Sequence, residues 1–244
     1  MKAYAEEYPP TPDLYLIETL YCSRKAGPRY LERHLDRLAA SARSLGFACK
    51  IELIEKEARR HAGSFSDEGP HRMRLALQHS GELECTSAPL PPLSPLPVGL
   101  LFGPDWGFAA QCSSNPLLRH KTSLRDTYDR GWKFAETQGG FDMLFTNERD
   151  EVTEGGRSNL FVKLNGRWWT PPIASGILPG IMRGMMLEDL DLGAQEKPLT
   201  LSEVMTAEEL LLCSSLRGHL RTEMRRRPAS ERFDIDSHVP SLPR

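Results

Sequence analysis

The sequence predicts a mixed α/β protein of two subdomains, and three observations predict it. Through the first hundred residues, short apolar runs of strand length alternate with stretches of helical period. A proline-dense crossing, Ala88–Pro97, then interrupts the pattern. Its Pro89, Pro91, Pro92, Pro95 and Pro97 exclude a helix interior or a central strand. Beyond it, Gly103 to Leu118 has no clean period, and a second set of helices and hairpins follows. A chain of 244 residues makes one large domain or two small ones. The expected division is a smaller N-terminal α/β subdomain over 1–105, a linker over 106–119 and a larger C-terminal α+β subdomain over 120–244.

Leu14 to Leu20 is a strand-length apolar run, and Lys25-Ala26-Gly27-Pro28 is a turn. From Leu31 to Gly46 the residues Leu31, Leu35, Leu38, Ala42 and Leu45 recur at helical spacing, with Gly46 at the C-cap. Ile51 to Gly63 is a second helix. Met73 to Gln78 alternates as a strand, and a turn at Ser80-Gly81 leads to a partner at Glu82 to Thr86. Val98 to Phe102 is one more strand after the proline crossing.

In the second half, a helix from Asp126 to Gln138 stops at Gly139-Gly140. Phe141 to Thr146 and Glu151 to Thr153 flank the polar turn Asn147-Glu148-Arg149-Asp150 as a hairpin. Ser158 to Leu164 and Arg167 to Thr170 flank Asn165-Gly166, the pair that best accepts positive φ in a type I′ turn. Gly176 to Gly180 leads into a helix from Ile181 to Leu192, which Gly193 stops. Thr200 with Glu203 forms a capping box, Glu209 to Cys213 is a last strand, and Ser214 to Gly218 is the loop at its end.

Composition excludes several function classes. With a net charge of -2 and 39% apolar residues, neither disorder nor nucleic-acid coating is the default. No apolar run approaches the roughly 18 residues of a membrane helix. The acidic, proline-broken start MKAYAEEYPPTPD lacks a secretory signal's pattern, so a cytoplasmic location is expected, with no membrane or nucleic-acid partner. Five cysteines without a CxxC pair, and seven scattered histidines, give no support to a disulfide framework or a protein-built metal site.

Several residues invite a cofactor with an anionic end, although each also has an ordinary explanation. Pro179-Gly180 before Ile181 leaves backbone N–H groups and a positive dipole end, as every helix start does. Ser214 and Ser215 offer hydroxyls, or merely a turn. Arg37 shares a helix flank with His34, where a solvated arginine is equally natural. Lys121 lies in Arg119-His120-Lys121-Thr122-Ser123, where neighbouring cations lower an amine pKa toward the neutral nucleophile, and where a surface lysine is also at home. Glu154 precedes Gly155-Gly156, where backbone lets a flat ligand approach or where an acid simply ends a strand.

Taken together, these segments resemble the class IV (fold-type IV) pyridoxal-phosphate enzymes, the family of branched-chain and D-amino-acid aminotransferases and aminodeoxychorismate lyase. The resemblance is carried by Glu18-Thr19-Leu20, LERHLDRLAASARSLGF (31–47), HKTSLRDTYD (120–129), LFTNERDEVTEGGRSNLFV (144–162), TPPIASGILPGIMR (170–183) and LLLCSSLRG (210–218), in the family's order. It implies a D-amino-acid-aminotransferase-like fold with pyridoxal 5'-phosphate in the inter-domain cleft, and a homodimer. It further implies Lys121 as the Schiff-base lysine and Glu154 as the partner of the pyridine nitrogen. Arg37 would be a phosphate ligand, helped by Ile181, Met182, Ser214 and Ser215. Gly156, Arg157 and Met182 stand where many relatives carry hydroxyls, so phosphate contacts would rest more on backbone N–H groups.

No tyrosine and arginine match those that trap the substrate carboxylate in D-amino-acid aminotransferases. Instead KTSLRDTY and SLRG resemble the lyase domains of folate biosynthesis, with Arg217 as a substrate anchor or else one member of a basic tail of Arg217, Arg221, Arg225, Arg226 and Arg227. The resemblance thus implies conversion of 4-amino-4-deoxychorismate to 4-aminobenzoate and pyruvate. A class IV aminotransferase is the alternative, and a non-catalytic pyridoxal-phosphate-binding or interaction protein, using the basic tail on an acidic partner, is the second.

Overall fold

The structure, a computed structural model, describes residues 14–93 and 95–227, so the acidic start and the chain beyond Arg227 lie outside the described residues. The first sheet is built on β1 (Tyr15–Ser23), which turns Leu16, Leu20 and Cys22 into an apolar core. β1 pairs antiparallel with β2 (Gly27–Pro28) and, from Tyr15↔Gln78 to Cys22↔His71, with β3 (His71–Gln78). β4 (Leu83–Pro89) completes the order β2-β1-β3-β4. The same face is covered by α1 (Leu31–Leu45) and α2 (Ile51–Gly63). Their stripes, Leu31, Leu35, Leu38 and Ala42 on one and Ile54, Ala58 and Ala62 on the other, recur at spacings of three and four. Gly46 ends α1 in the left-handed region at φ 77°, as its sequence position predicts.

The second sheet has eight strands. They are β5 (Val98–Phe102), β6 (Asp142–Thr146), β7 (Val152–Gly155), β8 (Asn159–Leu164), β9 (Arg167–Thr170), β10 (Gln195–Glu196), β11 (Glu209–Ser214) and β12 (Gly218–Arg225), in the order β10-β9-β8-β11-β12-β5-β6-β7. Strand alternation sorts their side chains. Leu100, Leu144, Leu160, Val162, Leu212 and Leu220 gather in one inner core, which requires the sheet to curl around them. Of the outward residues, Leu101, Met143 and Phe145 pack on α3 (Asp126–Thr137), and Phe161, Leu211 and Cys213 pack on α4 (Ile181–Glu188). Phe145 and Phe161, both fully buried, stabilise these outer layers by roughly 1.5–3 kcal/mol each. The short α5 (Leu201–Met205) begins with the expected capping box between Thr200 and Glu203. Asn165 and Gly166 turn β8 into β9 at φ 51° and 73°, the positive values a type I′ turn demands.

Three elements depart from the sequence reading. Val98–Phe102 lies on the N-terminal side of the expected linker but pairs with β6 and β12, so in hydrogen-bonding terms the chain crosses between sheets at residues 90–97. The division into 1–105, 106–119 and 120–244 stands as a proposal. The helix from Ile181 stops at Glu188 rather than Leu192, because Asp189 Oδ1 accepts from the N–H groups of Asp191 (3.0 Å) and Leu192 (3.3 Å) and ends the helical ladder. The basic tail is not a tail through Arg227. Gly218–Arg225 is an interior strand that buries Leu220 and Thr222, Arg225 donates to the Gly139 carbonyl at 2.9 Å, and Arg226 pairs with Asp105. Its arginines alternate with core residues, so their clustering reflects a strand's outer face.

Candidate active site

The lysine is placed by β1. Along Tyr15–Leu20 one edge of β1 carries no strand, and residues 121–123 dock there. Ile17 N–H donates to the Lys121 carbonyl at 2.7 Å, and Ser123 N–H donates to the Tyr15 carbonyl at 2.9 Å. His120 adds a contact to Ser41 of α1 at 2.9 Å. Lys121 is half-buried, and its amine is pushed down to about 7, first by burial and then by the charges of Arg125 and Arg37, against the opposing pull of Glu18 and Glu154. A neutral amine near pH 7 is what a carbonyl-attacking lysine requires.

Opposite stands Glu154 at the end of β7. Its Oε1 accepts from Leu178 N–H at 3.1 Å and its Oε2 from Asn159 Nδ2 at 2.9 Å, and Asn159 also donates to the Leu178 carbonyl at 3.1 Å. Burial drives the carboxyl up to about 8 despite these bonds and the nearby Tyr128, Lys121 and Arg125. The Tyr128 hydroxyl lies near enough to Glu154 to feel its charge but makes no hydrogen bond of proper geometry, and burial raises it well above 10. The turn after Glu154 is organised by buried Asp142, whose Oδ1 accepts from Gly156 N–H (2.9 Å) and whose Oδ2 accepts from Arg157 N–H (3.2 Å) and Ser158 Oγ (2.6 Å). A Cβ on Gly155 would run into Asp142 Oδ2, and one on Gly156 would meet the Tyr128 carbonyl at 2.6 Å. In this structure the two glycines let protein approach closely.

Arg37 is oriented by a buried carboxylate. Glu18 interrupts the apolar face of β1 and accepts from Arg37 Nε (2.9 Å), Arg37 Nη2 (2.6 Å) and His34 Nδ1 (2.6 Å). Burial would raise this carboxyl, but the Arg37 charge and the His34 bond outweigh it and hold it at about 2. Arg37 Nη1 crosses to the Pro179 carbonyl at 3.1 Å, beside the start of α4. No side chain caps that helix, so the N–H groups of Ile181 and Met182 point out of its first turn. The turn after β11 also meets β1, since Ser215 Oγ donates to the Thr19 carbonyl at 3.3 Å and Arg29 Nη2 to the carbonyls of Ser215 (3.1 Å) and Leu216 (3.2 Å). Ser214 Oγ accepts from Arg217 N–H at 3.2 Å, and Arg217 Nη1 donates to the Pro91 carbonyl at 2.7 Å.

Residues 16–222 match the model of the amino-transferase class IV family. The chain belongs to the class IV aminotransferases. A Schizosaccharomyces pombe protein provisionally named aminodeoxychorismate lyase is 28% identical over 190 residues, 77% of this chain and 80% of that one. The solved structure of a Mesorhizobium loti protein, provisionally an amino-acid aminotransferase, is 31% identical with a TM-score of 0.77, covering 87% of this chain and all of its own. A Brucella abortus aminotransferase bound to pyridoxal phosphate shares the fold at a TM-score of 0.74 and 19% identity, with 87% and 81% of the two chains covered. This class IV chain is accordingly a pyridoxal-phosphate-dependent enzyme of the aminotransferase or aminodeoxychorismate lyase type, which sets the non-catalytic reading aside.

The site fits that cofactor on its own geometry. A Cβ on Gly180 would run into Asn159 Oδ1, so glycine there lets the uncapped start of α4 lie against the Glu154 partner. Uncapped N–H groups and Arg37 suit a phosphate, a depressed lysine suits an aldehyde, and a raised buried carboxyl suits a ring nitrogen. Sequence reasoning assigned no role to Asn159, Asp142, His34, Arg125 or Tyr128. Glu18 stood in a quoted motif without one. The available signal was a carboxylate in a buried strand facing His34 and Arg37, three apart on the flank of α1.

Proposed function

We propose that the enzyme is a lyase converting 4-amino-4-deoxychorismate to 4-aminobenzoate and pyruvate, in folate biosynthesis, acting as a cytoplasmic homodimer without nucleic-acid or membrane partners. Among the described residues no helix is long and apolar enough to cross a membrane. One observation carries the lyase reading. In the SLRG turn Arg217 is a half-buried guanidinium whose hydrogen bond goes to a backbone carbonyl, so it is available to a carboxylate of the substrate.

Arg37, Ile181 and Met182, with the Ser214–Ser215 turn, would hold the cofactor's phosphate, and Glu154, steadied by Asn159 and Leu178, would hold a proton against its ring nitrogen. When bound, pyridoxal phosphate supplies an electron sink for charge on the amine-bearing carbon. Lys121 Nζ, about half neutral near pH 7, takes the proton from that carbon. The bond from the ring to the enolpyruvyl oxygen then breaks, the ring becomes aromatic, and the released enol takes up a proton as pyruvate.

The alternative, a class IV aminotransferase, draws support from the Mesorhizobium loti relative's name. The same Lys121 serves both reactions, differing in where its proton is returned. The deciding experiment follows the visible spectrum of the pyridoxal-phosphate-loaded enzyme while 4-amino-4-deoxychorismate is added and 4-aminobenzoate is assayed. Sustained 4-aminobenzoate formation, abolished by Lys121→Ala, is the expected result. A spectrum that bleaches only with ordinary amino acids and recovers with a keto acid would replace the lyase with a transaminase.

A further inference from the structure

Two arginines meet at one end of the curled sheet. β8 pairs with β11 from Asn159↔Cys213 and β11 turns into β12 at Ser214↔Gly218, so Arg157, two residues before β8, and Arg217, one before β12, stand at the same end of neighbouring strands. Arg217 immediately precedes β12 and holds the Pro91 carbonyl, which belongs to the segment leading into β5. Arg157 holds the Phe141 carbonyl, just before β6, through Nη2 at 2.5 Å. Glu154 at the end of β7, Asn159 at the start of β8 and Ser214 at the end of β11 share this end of the sheet, since β8 pairs with β11 from Asn159↔Cys213.

Arg157 is fixed there with donors to spare. Its guanidinium lies 4.7 Å from the Trp132 ring and 4.3 Å from the Phe141 ring. Its only carboxylate partner among the described residues is Glu136, half-exposed, at 3.0 Å, a pair of the kind that contributes little. Its Nε is buried without a hydrogen-bond partner. Arg217 has no carboxylate partner among the described residues, and its pKa is lowered by burial and then by the charge of Arg157. Two guanidiniums that repel each other in a partly desolvated place are a cost the fold carries unless an anion arrives between them.

We propose that Arg157 and Arg217 form one anion subsite that takes the second carboxylate of a dicarboxylate amine, making Arg157 a specificity residue of this enzyme. The proposal rests on the lyase reading, whose substrate carries two carboxylates where an ordinary aliphatic amino acid carries one. Planar guanidinium forks from two sides match a carboxylate's two oxygens.

Its test uses the pyridoxal-phosphate-loaded enzyme and two probes without a reactive amine, chorismate as the dicarboxylate and benzoate as the monocarboxylate, with dissociation constants from calorimetry. Arg157→Gln and Arg217→Gln are each expected to weaken chorismate about tenfold or more and benzoate by less than about twofold. The double variant should be no weaker than the worse single one by more than about twofold, since both hold one group. Equal losses for both probes, an unchanged chorismate affinity in Arg157→Gln, or a wild type that does not prefer chorismate each overturn the subsite. Arg157→Lys, which keeps charge but not the fork, should show the same split at smaller size if Arg157→Gln fails to fold. Formation of 4-aminobenzoate is scored separately. An altered probe ratio without product sinks the lyase reading alone, and product with an unaltered ratio sinks the subsite alone.

Discussion

The sharpest quantitative consequence of the site concerns the proton on Lys121. An ordinary lysine near 10.5 is neutral in only about three molecules per ten thousand at pH 7, whereas an amine at about 7 is neutral in about half. The structure therefore gives the cofactor-free protein about a thousandfold more reactive amine than a surface lysine presents. Burial is the first cause, and Arg125, four residues on, is the second. Its guanidinium is held by Asp129 at 2.8 Å and by the Gly156 carbonyl at 2.5 Å. A like charge beside a titrating amine shifts it by about one pH unit or more, and Asp129 offsets part of the Arg125 charge, so Arg125→Gln should raise the amine by about one pH unit. The assay is the initial rate at which cofactor-free protein develops a visible band with pyridoxal, which lacks the titrating phosphate, measured across pH. The wild-type midpoint is expected near 7, Arg125→Gln near 8 or above, and Arg125→Lys close to wild type. A wild-type midpoint above about 9.5, or one that Arg125→Gln leaves in place, would refute the electrostatic account.

Other positions give equally definite expectations. Between pH 4.5 and about 8 the folded state holds a proton on Glu154 that the unfolded chain has released, so cofactor-free stability should fall as pH rises through that window. Glu154→Gln should flatten the fall, by roughly 2–4 kcal/mol across the window in urea unfolding, read most cleanly below about 7 where Lys121 adds no slope of opposite sign. Gly180→Ala must displace Asn159 Oδ1 and should cost about 1–3 kcal/mol of stability, with weaker pyridoxal phosphate binding measured by equilibrium dialysis. Asp142→Asn replaces one accepting oxygen with a donor facing the donors of Arg157 or Ser158, and a loss of about 2–3 kcal/mol in thermal unfolding is expected. Arg33→Ala breaks an exposed bidentate pair with Glu188 at 2.9 and 2.6 Å, and should change stability by no more than about 0.5 kcal/mol.

What the sequence revealed follows from how local each feature is. α1 was legible because its apolar stripe and Gly46 cap act within a few turns, and the β8–β9 hairpin because Asn165-Gly166 carries its own backbone preference. β12 was missed although HLRTEM alternates, since five arginines within eleven residues resemble a solvated tail until the Leu220 and Thr222 face is seen against β5. Glu18 carries no role legible in the sequence because a carboxylate in a buried strand makes sense only once His34 and Arg37 approach from another element. Asp142 is the same case, its donors coming from residues 156–158 after a hairpin. Lys121, Glu154 and Arg37 were singled out as a set, whereas the pKa values that make them useful depend on burial no local pattern encodes.

The charges around the site divide by role. Arg37 is matched by Glu18 and Arg125 by Asp129, so the guanidiniums nearest Lys121 bring orientation and local field with little net charge. Lys121 and Glu154, at about 7 and about 8, contribute little net charge of their own near neutrality. Among these site residues the least matched positive charge therefore lies at Arg217, in the β11–β12 turn with the Pro91 carbonyl, and at Arg157, between β7 and β8 with the Phe141 carbonyl and the half-exposed Glu136. Under the proposed subsite, discrimination among anionic amines belongs to that pair of arginines and proton transfer to the lysine. A substitution at Arg157 or Arg217 should then change which amine is accepted while leaving the Lys121 midpoint in cofactor-free protein within about half a pH unit. A larger movement would show that the two functions share one field.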